Sequence, residues 1–157
     1  MNWTNQGLVA LQILCAFFLG GFIGFEREKN KLGAGIRTYA AVCMGAAIFT
    51  IIGTNLMDAG GASRMASSVI TGVGFLGAGL IFQDKSQQRV IGLTTAATVW
   101  ATAAVGVAVG YHLYGIAVIS AIALYSLLSL DEFKWYKRWR KGIRNPKQND
   151  EALNEDM

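Results

Sequence analysis

The chain has 157 residues, of which 53% are hydrophobic, 15% are charged and one is proline, with a mean hydropathy of +0.37. That balance lies away from the soluble-domain norm, and a soluble helical protein with an apolar core accounts for it poorly. Between Thr38 and Leu130 the only formal charges are Asp58, Arg64, Asp84, Lys85 and Arg89, which leaves room for one compact helical membrane domain and little else.

The gaps between charges cut the chain into five apolar segments, at 8–25, 38–57, 65–82, 91–109 and 111–130. Each has about the length that spans a hydrocarbon core of about 30 Å, so the expected class is all-α, a polytopic membrane protein of five transmembrane helices. The first segment follows no basic region and carries no small-residue cleavage pattern, and so reads as a retained span. Within it, Gly20 and Gly24 form a small-residue step that lets two helix backbones approach.

Charges cluster where the first segment ends and the second begins. Glu26, Arg27 and Glu28 continue the first helix, and Arg37 with Thr38 opens the second after a Gly33-Ala34-Gly35 turn. Lysine and arginine can snorkel to the interface, but glutamate has a shorter stem, so Glu26 is the charge that most needs a partner. Arg37 stands near a helix amino terminus, which disfavours a cation, and an ion pair between Glu26 and Arg37 would satisfy both. The alternative is that these are solvated interfacial anchors, the preferred reading for Arg27, Lys29 and Lys31.

Arg64 precedes Ser67 and Ser68 at the mouth of the third segment. It is either paired with Asp58 or available to an anionic headgroup or a partner. The third segment itself is short and rich in glycine, with Gly72, Gly74, Gly77 and Gly79, and could be a full span or a broken one. The fourth opens G-L-T-T-A-A-T from Gly92, with Thr94, Thr95 and Thr98, and its Thr94, Thr98, Thr102, Gly106 and Gly110 recur at every fourth residue. Such a ridge suits a close helix crossing. Both stretches are expected to be packed interior; the ridge serves the fold, or else a homo-oligomer seam, a dimer being favoured, or a substrate path.

Past Leu130 the composition changes. Phe133, Lys134, Trp135, Tyr136, Lys137, Arg138, Trp139, Arg140 and Lys141 interleave rings and cations, as suits a segment lying among anionic headgroups. Directly after a span this reading is preferred to nucleic-acid binding. The expected organisation is therefore a transmembrane domain at 1–130, a basic-aromatic juxtamembrane segment at 131–147 and a disordered acidic tail at 148–157. With the carboxyl end inside and five spans, Arg64 is the only basic residue left outside, so the amino terminus is expected outside and the carboxyl terminus in the cytoplasm.

Catalysis has little support. His112 is the single histidine, Cys15 and Cys43 read as apolar fillers, and no metal-ligand spacing or phosphate-cradling glycine loop is present. No enzyme activity, metal site or cofactor is expected. Two function classes stay open: a regulatory membrane protein docking on another complex or on itself, and a small ion or proton transporter or channel lined by Glu26, Arg37 and the threonine ridge. The scarcity of intramembrane oxygen ligands for a divalent cation favours the first.

E-R-E at Glu26 to Glu28, G-I-R-T at Gly35 to Thr38, Arg64 before its small-residue run, G-V-G-F-L-G-A-G at Gly72 to Gly79 and G-L-T-T-A-A-T-V-W at Gly92 to Trp100 resemble the MgtC/SapB family of bacterial inner-membrane proteins. The resemblance spans roughly residues 10 to 125. It implies a polytopic plasma-membrane domain with a cytoplasmic carboxyl end, and a role in magnesium homeostasis or virulence, with the membrane-embedded ATP synthase as a partner. The chain departs from the family pattern at Gly61, Ser68 and Ile91, and is expected to lack the cytoplasmic carboxyl-terminal domain of longer members.

Overall fold

A computed structural model of the protein describes residues 3–30, 33–84 and 89–130. Five helices occur among them: α1 (Trp3–Lys29), α2 (Ile36–Leu56), α3 (Ala59–Gly79), α4 (Leu93–Gly110) and α5 (Tyr114–Ser129). Gln6–Lys29, α2 and α4 are long and apolar enough to cross a membrane, and α5 is a shorter apolar helix. The fold is thus the expected all-α membrane class. Between α3 and α4, in the connection between the apolar segments expected at 65–82 and 91–109, lies an antiparallel hairpin of β1 (Phe82–Asp84) and β2 (Arg89–Ile91), paired Phe82 with Ile91.

The hairpin has a local cause. Gly92 sits at φ 91°, a left-handed conformation that favours glycine, and an added Cβ would run into the Leu80 carbonyl. Gly92 is therefore a turn glycine at the start of α4, not the helix-packing glycine expected.

α2 is the hub, packed against α1, α3 and α4, with α4 also touching α1 and α3. Contacts such as Gly24 against Ile36, Tyr39 with Thr98, and Gly53 against Ala62 make α1 and α3 antiparallel to α2 and α4. The α3 helix is continuous over 21 residues, roughly 30 Å at 1.5 Å per residue. It meets its neighbours at both ends, through Tyr111 Oη donating to the Ala62 carbonyl and Gly77 beside Ala96. Of the two readings of this segment, the unbroken helix is the one observed.

Close packing falls where α1, α2 and α4 cross. A Cβ on Gly20 would lie 2.6 Å from the Tyr39 carbonyl oxygen, one on Gly24 2.8 Å from Ile36 Cα, and one on Gly110 2.5 Å from Thr50 Cβ. Gly106 presses on the Cys43 backbone. Thr98 and Thr102 are buried in the same ridge, whereas Thr94 is exposed, so the ridge begins one turn later than its spacing suggests. Ridge threonines return their hydroxyl protons to their own helix, Thr98 to the Thr94 carbonyl at 2.8 Å and Thr102 to the Thr98 carbonyl at 2.7 Å, which lets them lie against apolar neighbours.

The α3 glycines behave otherwise. Added Cβ atoms on Gly72, Gly74 and Gly79 would meet nothing within 4 Å, and one on Gly77 would make ordinary contact with Ala96 at 3.7 Å. The expected packed interior is therefore absent at Gly72, Gly74 and Gly79 within this chain: they flank the buried stripe of Val69, Val73 and Gly77, Gly72 and Gly79 on the side of the α2 groove and Gly74 on the other. Met1–Tyr125 form one compact unit, within which Tyr125 of α5 stacks on Phe22 of α1 at 4.5 Å; Ser126 begins a second unit, described only to Leu130. The juxtamembrane residues Lys134, Trp135, Lys137, Arg138, Trp139, Arg140 and Lys141, and the acidic tail, lie outside the described residues.

Candidate functional site

Antiparallel packing brings the last turns of α1 to the first turns of α2 and α4. Gly20 and Gly24 set the approach, and continuing their face of α1 by three residues reaches Arg27. Arg27 is 7% exposed, and its Nη2 donates to Thr95 Oγ1 at 2.5 Å. The guanidinium also lies within electrostatic reach of the Tyr39 hydroxyl. Tyr39 Oη and Thr98 Oγ1 are 2.6 Å apart; because the single Thr98 proton goes to a backbone carbonyl, Tyr39 is the donor. A chain of polar contacts thus runs from α1 through α2 into α4 inside an otherwise apolar core.

Glu26 is 1% exposed. Its Oε1 accepts from Asn30 Nδ2 at 2.8 Å, while its Oε2, like Arg27 Nε, is buried with no hydrogen-bond partner among the described residues. The Glu26–Arg37 ion pair expected from the sequence is not present: Arg37 and Thr38 are exposed, and Glu26 points into the protein. The carboxylate that serves α2 is Glu28, whose Oε2 accepts from the Ile36 N–H at 2.8 Å across the intervening turn. An acid at a helix amino terminus is favourable, and Glu28 fills that role for a helix whose N-cap, Gly35, has no side chain. Arg27 is likewise not the solvated anchor expected of it.

At the opposite end, Arg64 and Asp58 form an exposed ion pair at 4.0 Å, and Asp58 caps α3 by accepting from the Gly61 N–H at 2.8 Å. Such a surface pair contributes little. Ser68 Oγ donates to the Arg64 carbonyl and Ser67 offers its carbonyl to Thr71, both within α3. Buried Gln12 was missed. Its Nε2 donates to the Val109 carbonyl at 3.1 Å and lies 3.3 Å from His112 Nδ1, tying α1 to the end of α4. A lone amide in an apolar run was the available signal.

Residues 13–136 match the MgtC family. The chain belongs to that family. It is 38% identical over 150 residues to Protein MgtC of Brucella abortus (strain 2308), covering 93% of this chain and 62% of that protein. It is 37% identical over 142 residues to Protein SrpB of Synechococcus elongatus, covering 83% and 77%. Against the Putative magnesium transporter YhiD of Escherichia coli (strain K12) the identity is 37% over 131 residues, covering 78% of this chain and 59% of the relative. The chain thus spans less than two thirds of the Brucella and Escherichia relatives. No solved structure matches it.

Every motif that carried the resemblance falls inside the matched range. Among the described residues no group of three or more His, Cys, Asp or Glu side chains could hold a metal ion. Cys15 and Cys43 are free, the second fully buried beside Gly20 and Gly106. One buried cation with a hydroxyl partner, a buried acid with one idle oxygen, and close-packed glycines around them make a polar core, with charge held where lipid-facing helices do not tolerate it.

Proposed function

We propose that this MgtC-family membrane protein is regulatory, acting in ion homeostasis or membrane energetics under stress such as low magnesium, by docking its uncovered helix face on another membrane protein. The observation that carries this reading is the α2–α3 surface. A groove of about 540 Å³ runs there, lined by Gly45, Phe49, Ser68, Gly72, Val73 and Leu76 among others, and almost wholly apolar. Beside it Phe75 is 81% exposed. Glycine surfaces of this kind let a foreign helix approach closely. Candidate partners are a second copy, as a dimer, and a membrane complex such as the ATP synthase. The bacterial inner membrane, with the amino terminus outside and the carboxyl terminus in the cytoplasm, is the location this reading takes from the basic-residue count.

A second reading, a small ion or proton transporter, is favoured by Glu26, a buried acid with an unpartnered oxygen. Liposomes holding only the purified protein separate the two. Under the regulatory reading they show no magnesium or proton flux above empty vesicles, while cross-linking from a cysteine at Gly72 in cells captures a membrane partner. Flux abolished by Glu26→Gln would overturn it in favour of transport.

A further inference from the structure

The amino end of α4 is electrostatically incomplete. Its N-cap is Gly92, with no side-chain cap, and the first helical hydrogen bond is from Ala96 N–H to the Gly92 carbonyl. The N–H groups of Leu93, Thr94 and Thr95 therefore have no acceptor inside the helix, and they carry the positive end of its dipole. Into this turn reaches Arg27, bonded to Thr95 Oγ1, with Nε buried and unpartnered and no ion pair among the described residues. A buried cation beside a positive helix end is the reverse of the favourable arrangement.

The neighbouring helices show what is missing. Glu28 brings a carboxylate to the start of α2 and Asp58 brings one to the start of α3. Glu26 does not do this for α4: its Oε1 is held by Asn30, and it projects from α1 roughly 100° away from Arg27. We propose that Arg27, Thr95 and the free N–H groups of the first turn of α4 bind a phosphate-type oxyanion, carried by a lipid headgroup or free in solution. A guanidinium edge and a row of helix N–H groups offer paired donors that match the oxygens of a tetrahedral oxyanion. Leu93 and Thr94 expose the first turn of α4, with Arg27 and Thr95 buried directly behind it, and the site lies at the end of membrane-crossing helices, where headgroups stand.

The test uses the full chain in a neutral detergent and two probes. Equilibrium dialysis measures radiolabelled inorganic phosphate; native mass spectrometry compares phosphatidylglycerol with phosphatidylcholine. The deciding variant is Thr94→Asp, which places a carboxylate in the first turn as a tethered competitor and favours the helix, so the fold is retained. Arg27→Gln is the second variant. Saturable binding in either arm, weakened roughly tenfold or more by Thr94→Asp at unchanged thermal stability, supports the site. Binding in the phosphate arm assigns it to a free oxyanion, and binding of phosphatidylglycerol alone assigns it to a headgroup. Absence of saturable binding in both arms, or binding that Thr94→Asp leaves unchanged, overturns it.

Discussion

Gly20, Gly24, Gly106 and Gly110 on one side, and Gly72, Gly74 and Gly79 on the other, come from apolar stretches of similar make-up, yet they meet opposite surroundings. The first group stands where three helices cross at backbone distance, and a Cβ at any of them would strike a carbonyl, a Cα or a threonine side chain. The second faces nothing within 4 Å. Small residues are thus spent twice in this chain: once to close its own core, and once to keep a surface open. Only the neighbours of a glycine, not the glycine itself, tell the two uses apart.

The largest expected effect comes from filling the closed group. Gly106→Leu forces a branched side chain into the Cys43 backbone, where overpacking costs about 3 kcal/mol and here more, since backbone cannot repack. Membrane yield and resistance to thermal aggregation should collapse. Gly72→Leu, on the open face, should leave both near those of the parent.

Next come the polar contacts of the same core. Tyr39→Phe removes the donor to Thr98 Oγ1 and the neighbour of Arg27, and should cost about 1–2 kcal/mol as a lost buried hydrogen bond. Gln12→Leu should cost about 1 kcal/mol by removing the amide's bond to the Val109 carbonyl, which keeps the His112 N–H as its other donor. Arg37→Gln, at an exposed position, should fall within about 0.5 kcal/mol of the parent. Thermal unfolding in detergent ranks the three; a loss for Arg37→Gln as large as that for Tyr39→Phe would restore the Glu26–Arg37 pairing that the sequence suggested.

Legibility followed the same divide. The helices, their order and the family were readable because apolar length and motif spacing are properties of the chain alone. Gly20 and Gly24 were rightly placed, and their period of three and four extends to Arg27, a step that the positive-inside argument obscured by assigning every basic residue there to water. Glu26 was correctly singled out as the acid in need of burial partners, but Asn30 is the residue that meets it. Arg37 faces outward because the turn after Gly33, at φ 43°, starts α2 with Ile36 and Tyr39 toward α1. The exposure of the α3 glycines was not legible, since composition alone assigns a small-residue face no partner and no direction.

The smallest effects sharpen the comparison most. Gly72→Ala and Gly74→Ala add a methyl group to open space on a helix, where alanine is favoured over glycine by about 1 kcal/mol, so each should raise the thermal stability of the isolated chain slightly. In the cell the methyl group at Gly72, which borders the α2–α3 groove, would hold a docked helix away from the α3 backbone, whereas the one at Gly74, about 200° round the helix, would not. Stability that rises for both variants while partner cross-linking at the groove falls for Gly72→Ala alone is the expected pair of outcomes, and it separates a surface kept open for a partner from one that merely faces lipid. If stability and cross-linking both hold at parent level or rise in Gly72→Ala, that glycine faces lipid and docking does not depend on it.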